Sequence, residues 1–73
     1  MEGFKYMTVK NNLKEILKDR GIKQVWLAEQ VGINSKTLSN IINGKYNTSL
    51  EVALKISEVL EMSTDDIFKL VKE

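Results

Sequence analysis

Leu13, Ile16 and Leu17 recur at helical spacing, with Asn11 or Asn12 ahead of them as an N-cap and Gly21 just beyond, so a first helix is expected over residues 11–20. Val25, Ala28 and Val31, with Leu27 beside them, form a second periodic set that stops at Gly32, a residue suited to the left-handed position after a helix. Asn34 or Ser35 can cap a third helix whose apolar face is Leu38, Ile41 and Ile42, closed by Gly44. Residues 45–49 read as a loop. Leu50, Ala53, Leu54, Ile56, Ser57 and Leu60 make a fourth helix, capped by Thr48 or Ser49. Ser63 to Asp66 has the form of a capping box with Asp in place of the usual Glu, and predicts a fifth helix running through Ile67, Phe68, Leu70 and Val71. The expected fold is all-α, a set of five short helices with brief connections.

The N-terminus breaks this rhythm. Phe4, Tyr6 and Thr8 alternate with Lys5, Met7 and Val9, a period that permits a short strand. A lone strand in an all-helical domain has no partner unless a second chain supplies one, so the alternative expectation is disorder. The chain is expected to divide into an N-terminal segment, 1–10, and a helical domain, 11–73.

Composition narrows the chemistry. Seventy-three residues make one small domain, and the chain contains no cysteine and no histidine. That removes disulfides, thiol catalysis, the usual zinc and iron–sulfur sites and imidazole acid–base chemistry; no cofactor or metal is expected. No apolar run approaches the roughly 20 residues that span a bilayer, and the N-terminus lacks the apolar stretch of a signal peptide. A cytoplasmic protein of bacterial or phage origin is expected. The adjacent Asp65 and Asp66 are better explained as acids favoured at a helix N-terminus than as a catalytic pair, so an enzyme is not expected.

The net charge of +1 names no partner, but its distribution does. Residues 20–47 hold Arg20, Lys23, Lys36 and Lys45 against Glu29 alone, whereas residues 48–73 hold three lysines against six acids. From Gln30 to Leu50 there is no acid at all, while amides, hydroxyls and two lysines are dense. Such a surface suits a polyanion, because a carboxylate at the contact would repel phosphate. An ordinary solvated face is the competing reading, and the acidic C-terminal third is expected to face away from the anion.

Two helices of about nine residues joined by a Gly-containing turn are the local signature of a DNA-binding helix–turn–helix. Ala28 gives the close crossing its small side chain, and Ile33 and Leu38 pin the second helix to the first. Residues 23–45, Lys-Gln-Val-Trp-Leu-Ala-Glu-Gln-Val-Gly-Ile-Asn-Ser-Lys-Thr-Leu-Ser-Asn-Ile-Ile-Asn-Gly-Lys, resemble the lambda-repressor-like, Cro-type helix–turn–helix family (the xenobiotic-response-element family). The shared pattern falls on Gln24, Leu27–Ala28, Gly32, Ser35 and Gly44–Lys45, and residues 50–56 and 66–68 resemble that family's later helices. The chain departs from the pattern at Thr48, where proline is frequent, at Ile42, where an acid is frequent, and at Trp26, a commonly polar position.

With Leu38 turned to the core, a rotation of about 100° per residue puts Lys36, Asn40 and Asn43 on the opposite face, flanked by Thr37 and Ser39. Lysine can donate to guanine, and asparagine can bond adenine bidentately. The resemblance implies that the start of this helix enters the major groove, with Ser35, Lys36 and Asn40 at the base-contacting positions. Asn43, Thr37 and Ser39 then fall to the DNA backbone. Gln24, at the start of the preceding helix, matches the family's phosphate-binding glutamine, and Lys23, Lys45, Tyr46 and Asn47 flank it as further backbone contacts. Trp26 and Tyr46 are expected to pack rather than to stack on bases, since single-strand binders need several aromatics in a basic groove.

The expected function is a sequence-specific regulator of transcription, a repressor, acting on double-stranded DNA. One reading helix buries too little to bind tightly, so a homodimer on two half-sites of a palindromic operator is expected. The dimer surface is expected either at the C-terminal helix (Phe68, Leu70, Val71) or at the segment from Phe4 to Val9. The alternative keeps the fold and gives it a protein partner, as an antitoxin-like module or one that binds a toxin or antirepressor.

Overall fold

The structure, a computed structural model, describes residues 7–72. Its elements are β1 (Met7–Asn11), α1 (Leu13–Arg20), α2 (Gln24–Val31), α3 (Ser35–Ile42), α4 (Leu50–Leu60), α5 (Thr64–Ile67) and β2 (Phe68–Lys72).

Each helix sends at least one side chain to a single core: Leu13, Leu27, Leu38, Ile56 with Leu60, and Ile67 are all essentially out of contact with water. Ile16, Leu17, Ala28, Val31 and Ile42 complete it, with Ile22, Ile33, Val52 and Met62 among those packed around the edge. Ends are set locally. Gly21 and Gly32 take left-handed conformations just past α1 and α2 (φ 67° and 82°), where a side chain would be strained even though the space beside each is open. Asn34 caps α3 by accepting the Lys36 amide at 2.7 Å, and Ser49 caps α4 by accepting the Val52 amide at 3.2 Å. Arg20 reaches across from α1 to donate to the Leu60 carbonyl at 2.6 Å, which satisfies one of the free carbonyls at the end of α4.

Several expectations are corrected. The fold is mostly helical rather than all-α: α5 is a single turn, and the chain from Phe68 onward is extended. Ile67, Phe68, Leu70 and Val71 fit the spacing of a helix face, but an available partner strand overrides that spacing from Phe68 onward. That partner is β1 of the same chain, antiparallel, with Val9 opposite Leu70 and Asn11 opposite Phe68. The strand expected from Phe4 to Val9 is found at Met7–Asn11, and Phe4 and Tyr6 lie outside the described residues. Residues 7–10 pair backbone to backbone with residues 69–72. The two segments expected as alternative dimer surfaces pair with each other within the chain.

The helical faces are narrower than the pattern suggested. Val25 is 52% exposed, and Leu50 and Leu54 are 75% and 53% exposed, because α2 turns Leu27, Ala28 and Val31 inward and α4 turns Ile56, Ser57 and Leu60 inward. Ser57 is tolerated there because its hydroxyl donates to the Ala53 carbonyl one turn back, at 3.0 Å. Among the described residues, no helix is long and apolar enough to cross a membrane.

Candidate nucleic-acid interface

The α2–α3 pair is held by residues 32–34, with Gly32 and Ile33 both donating to the Ala28 carbonyl at 2.8 and 3.0 Å. α3 buries Leu38, Ile41 and Ile42 along one face, which fixes the direction of the rest. Ser35, Lys36 and Asn43 are exposed; Thr37, Ser39 and Asn40 are half-buried. The stripe anticipated on the outward side is therefore continuous, with Asn40 its most covered member. The Lys45 amide donates to the Asn40 carbonyl at 2.9 Å, which turns the chain back at the end of α3. Asn43 donates through Nδ2 to the Ser39 hydroxyl at 3.4 Å, so these two polar groups steady each other on the same surface.

At the start of α2, Lys23 occupies the capping position in extended conformation and its side chain makes no capping bond. The Leu27 amide bonds back to Lys23, but the amides of the first turn before it are left to an external acceptor. Lys23 and Gln24 are both exposed beside them. An anion meeting this turn would be held by amides, by the positive end of the helix dipole and by the Lys23 charge. Lys45, Tyr46 and Asn47 are exposed on the loop that follows α3. Trp26 and Tyr46, expected to pack, are 44% and 46% exposed, so each offers a partly free aromatic edge.

The acid-free run from Gln30 to Leu50 is thus folded into one turn, one helix and one loop, and its charged and amide groups stay at the surface. What the arrangement offers is hydrogen bonding and positive charge.

Sequence reasoning considered Asn11 only as a helix cap. Its Oδ1 does accept the Leu13 amide at 3.1 Å, but its Nδ2 donates to the Ile41 carbonyl at 3.0 Å, bridging β1 to the end of α3. The alternation of β1 was the available signal, though nothing in it indicated the partner. Between β1, the end of α3 and the start of α4 lies an open cleft of about 610 Å3, bordered by Lys10, Asn43, Tyr46, Asn47, Leu50 and Phe68 among others.

Comparison with known proteins fits this geometry. A family model described as a Cro/C1-type HTH DNA-binding domain matches residues 12–73. The chain is 38% identical over 65 residues to YgzD of Bacillus subtilis, an uncharacterized HTH-type transcriptional regulator, covering 89% of this chain and 98% of that one. It is 40% identical over 53 residues to the antitoxin HipB of Escherichia coli, which covers 73% of this chain and 56% of HipB. Among solved structures, the transcriptional regulator VanUg superposes with a TM-score of 0.76 at 35% identity, over 92% of this chain and 89% of that one.

Proposed function

The chain belongs to the Cro/C1-type HTH DNA-binding domain family, and on that premise we propose that it is a transcriptional repressor that reads double-stranded DNA with α3. In this reading α2 and α3 are the helix–turn–helix. Ser35, Lys36 and Asn40 meet base edges in the major groove. Lys23, Gln24, Thr37, Ser39, Asn43, Lys45, Tyr46 and Asn47 meet the sugar–phosphate backbone. The observation that carries it is the conjunction of an acid-free outward face on α3 with an uncapped first turn on α2. The first is suited to base edges and the second to a phosphate. A homodimer on a palindromic operator supplies the second reading helix that tight binding needs, and the exposed Leu50, Leu54 and Leu70 are apolar surface available for it.

Selection from a random duplex library, followed by salt titration of the winner, tests the reading. A palindrome with a log–log slope of about −4 to −8 is expected, the mark of several phosphates neutralised per site. Asn40→Ala is expected to relax preference at one base position and cost about 1–3 kcal/mol, whereas Lys45→Ala weakens all sequences alike and lowers the slope by about one. Both variants binding like the parent would overturn this docking.

A second reading, an antitoxin-like module with a protein partner, is favoured by the similarity to HipB. Its mark would be no enriched duplex and no steep salt slope.

A further inference from the structure

The two strands carry three lysines, Lys10, Lys69 and Lys72, and no carboxylate. Their register sets Lys10 directly opposite Lys69. Directly opposed side chains in an antiparallel pair stand about 5 Å apart at Cβ and share a face, so two ammonium groups placed there repel. Both lysines are exposed, and among the described residues the ion pair is Lys55–Glu51, on α4, so neither lysine meets a described carboxylate. Asp65 borders the cleft beside Lys10, and Asp66 accepts from the Ser63 hydroxyl through Oδ2 at 3.0 Å. The pair's charge is left for an anion from outside.

The strand that carries Lys10 is tied to the proposed interface by its neighbouring residues. Asn11, next to Lys10, holds the end of α3 through the Ile41 carbonyl. On the other side, Asn12 donates its amide to the Ile67 carbonyl and its Nδ2 to the Asp66 carbonyl, both at 3.1 Å. Lys10 borders the same cleft as Asn43 and Asn47, two of the proposed backbone contacts.

We propose that Lys10 and Lys69 form a second phosphate-binding patch, by which the sheet grips the backbone of duplex DNA beyond the end of α3. It rests on the DNA-binding reading above and adds a contact outside the α2–α3 pair. A phosphate between the two ammonium groups turns their repulsion into shared attraction, so this placement is unfavourable in the free protein and favourable on DNA. The contact carries no base information, since it reads only the backbone.

The test uses the full chain with K10Q/K69Q, K10R/K69R and Lys45→Ala, each titrated with salt on the selected duplex and on a scrambled one. K10Q/K69Q is expected to keep the parent's base preference and lose about one unit of slope per bound chain, about 0.9 for the one phosphate that the pair neutralises. Between 50 and 200 mM salt its affinity should therefore fall about threefold less than the parent's for each bound chain. The free K10Q/K69Q protein should melt no lower than the parent, because a repulsion has been removed. K10R/K69R should keep the parent's slope; a lowered slope would assign the effect to packing and overturn the patch. A parental slope in K10Q/K69Q, with a lowered one in Lys45→Ala, would overturn the patch and leave the DNA reading standing. If the parent enriches no duplex, the DNA reading itself fails and the patch with it.

Discussion

α3 and the two-stranded sheet meet through Asn11, yet they are held in different ways. α3 is eight residues with its own cap at Asn34 and three buried side chains, Leu38, Ile41 and Ile42. The sheet is ten residues, and among its described side chains none is fully buried; Thr8, Asn11, Phe68 and Val71 are half-covered and the rest are exposed. A two-stranded ribbon alone is marginal in water. This one is kept by its backbone ladder and by attachment at one end, where Asn11 and Asn12 meet α3 and α5. The difference separates a helix fixed by its buried face from a sheet attached at one end. Side chains on α3 are aimed by the core, while those on the sheet are aimed by register.

The comparison can be broken most directly at Leu38. Leu38→Ala removes a side chain that is fully buried and is expected to cost about 2–5 kcal/mol. In a domain of this size each kcal/mol is worth about 4–8 °C in melting temperature, so thermal unfolding reads it directly. A loss below about 1 kcal/mol would mean that α3 is not held by its buried face. Next comes the joint. Asn11→Ala removes two hydrogen bonds, to Ile41 and from Leu13, and is expected to cost about 1–2 kcal/mol. Hydrogen exchange should quicken at the sheet amides and much less along α3; equal quickening in both would show one cooperative unit rather than a core and an arm. The smallest effect is expected at Leu70→Ser, on the outer part of the sheet, within about 0.5 kcal/mol of the parent. A clear drop in its melting temperature would show that Leu70 is covered in solution.

Much of the helical body was legible along the chain. Leu13, Ile16, Leu17, Leu38, Ile41 and Ile42 are buried as their spacing demands, and Asn34, Ser49, Gly21 and Gly32 stand at the ends they were expected to mark. The surface of α3 was legible for the same reason: once Leu38 faces inward, rotation leaves Lys36 and Asn43 outside. Val25, Leu50 and Leu54 misled because a moderately apolar helix offers more hydrophobic positions than its neighbours can cover. Trp26 and Tyr46, expected to pack, are instead 44% and 46% exposed.

The local sequence determined where helices start and stop, which face of α3 is apolar, and that a long acid-free stretch would lie on one turn, helix and loop. These depend on dihedral preference, capping and a period of 3.6 residues, all of which act within a few positions. Tertiary structure decided the conformation of residues 68–72, the partner of β1, the link from Asn11 to Ile41 and the meeting of Lys10 with Lys69. Each of those depends on groups far apart in the chain, and their registration is set by backbone pairing once the helical core has brought the two ends together.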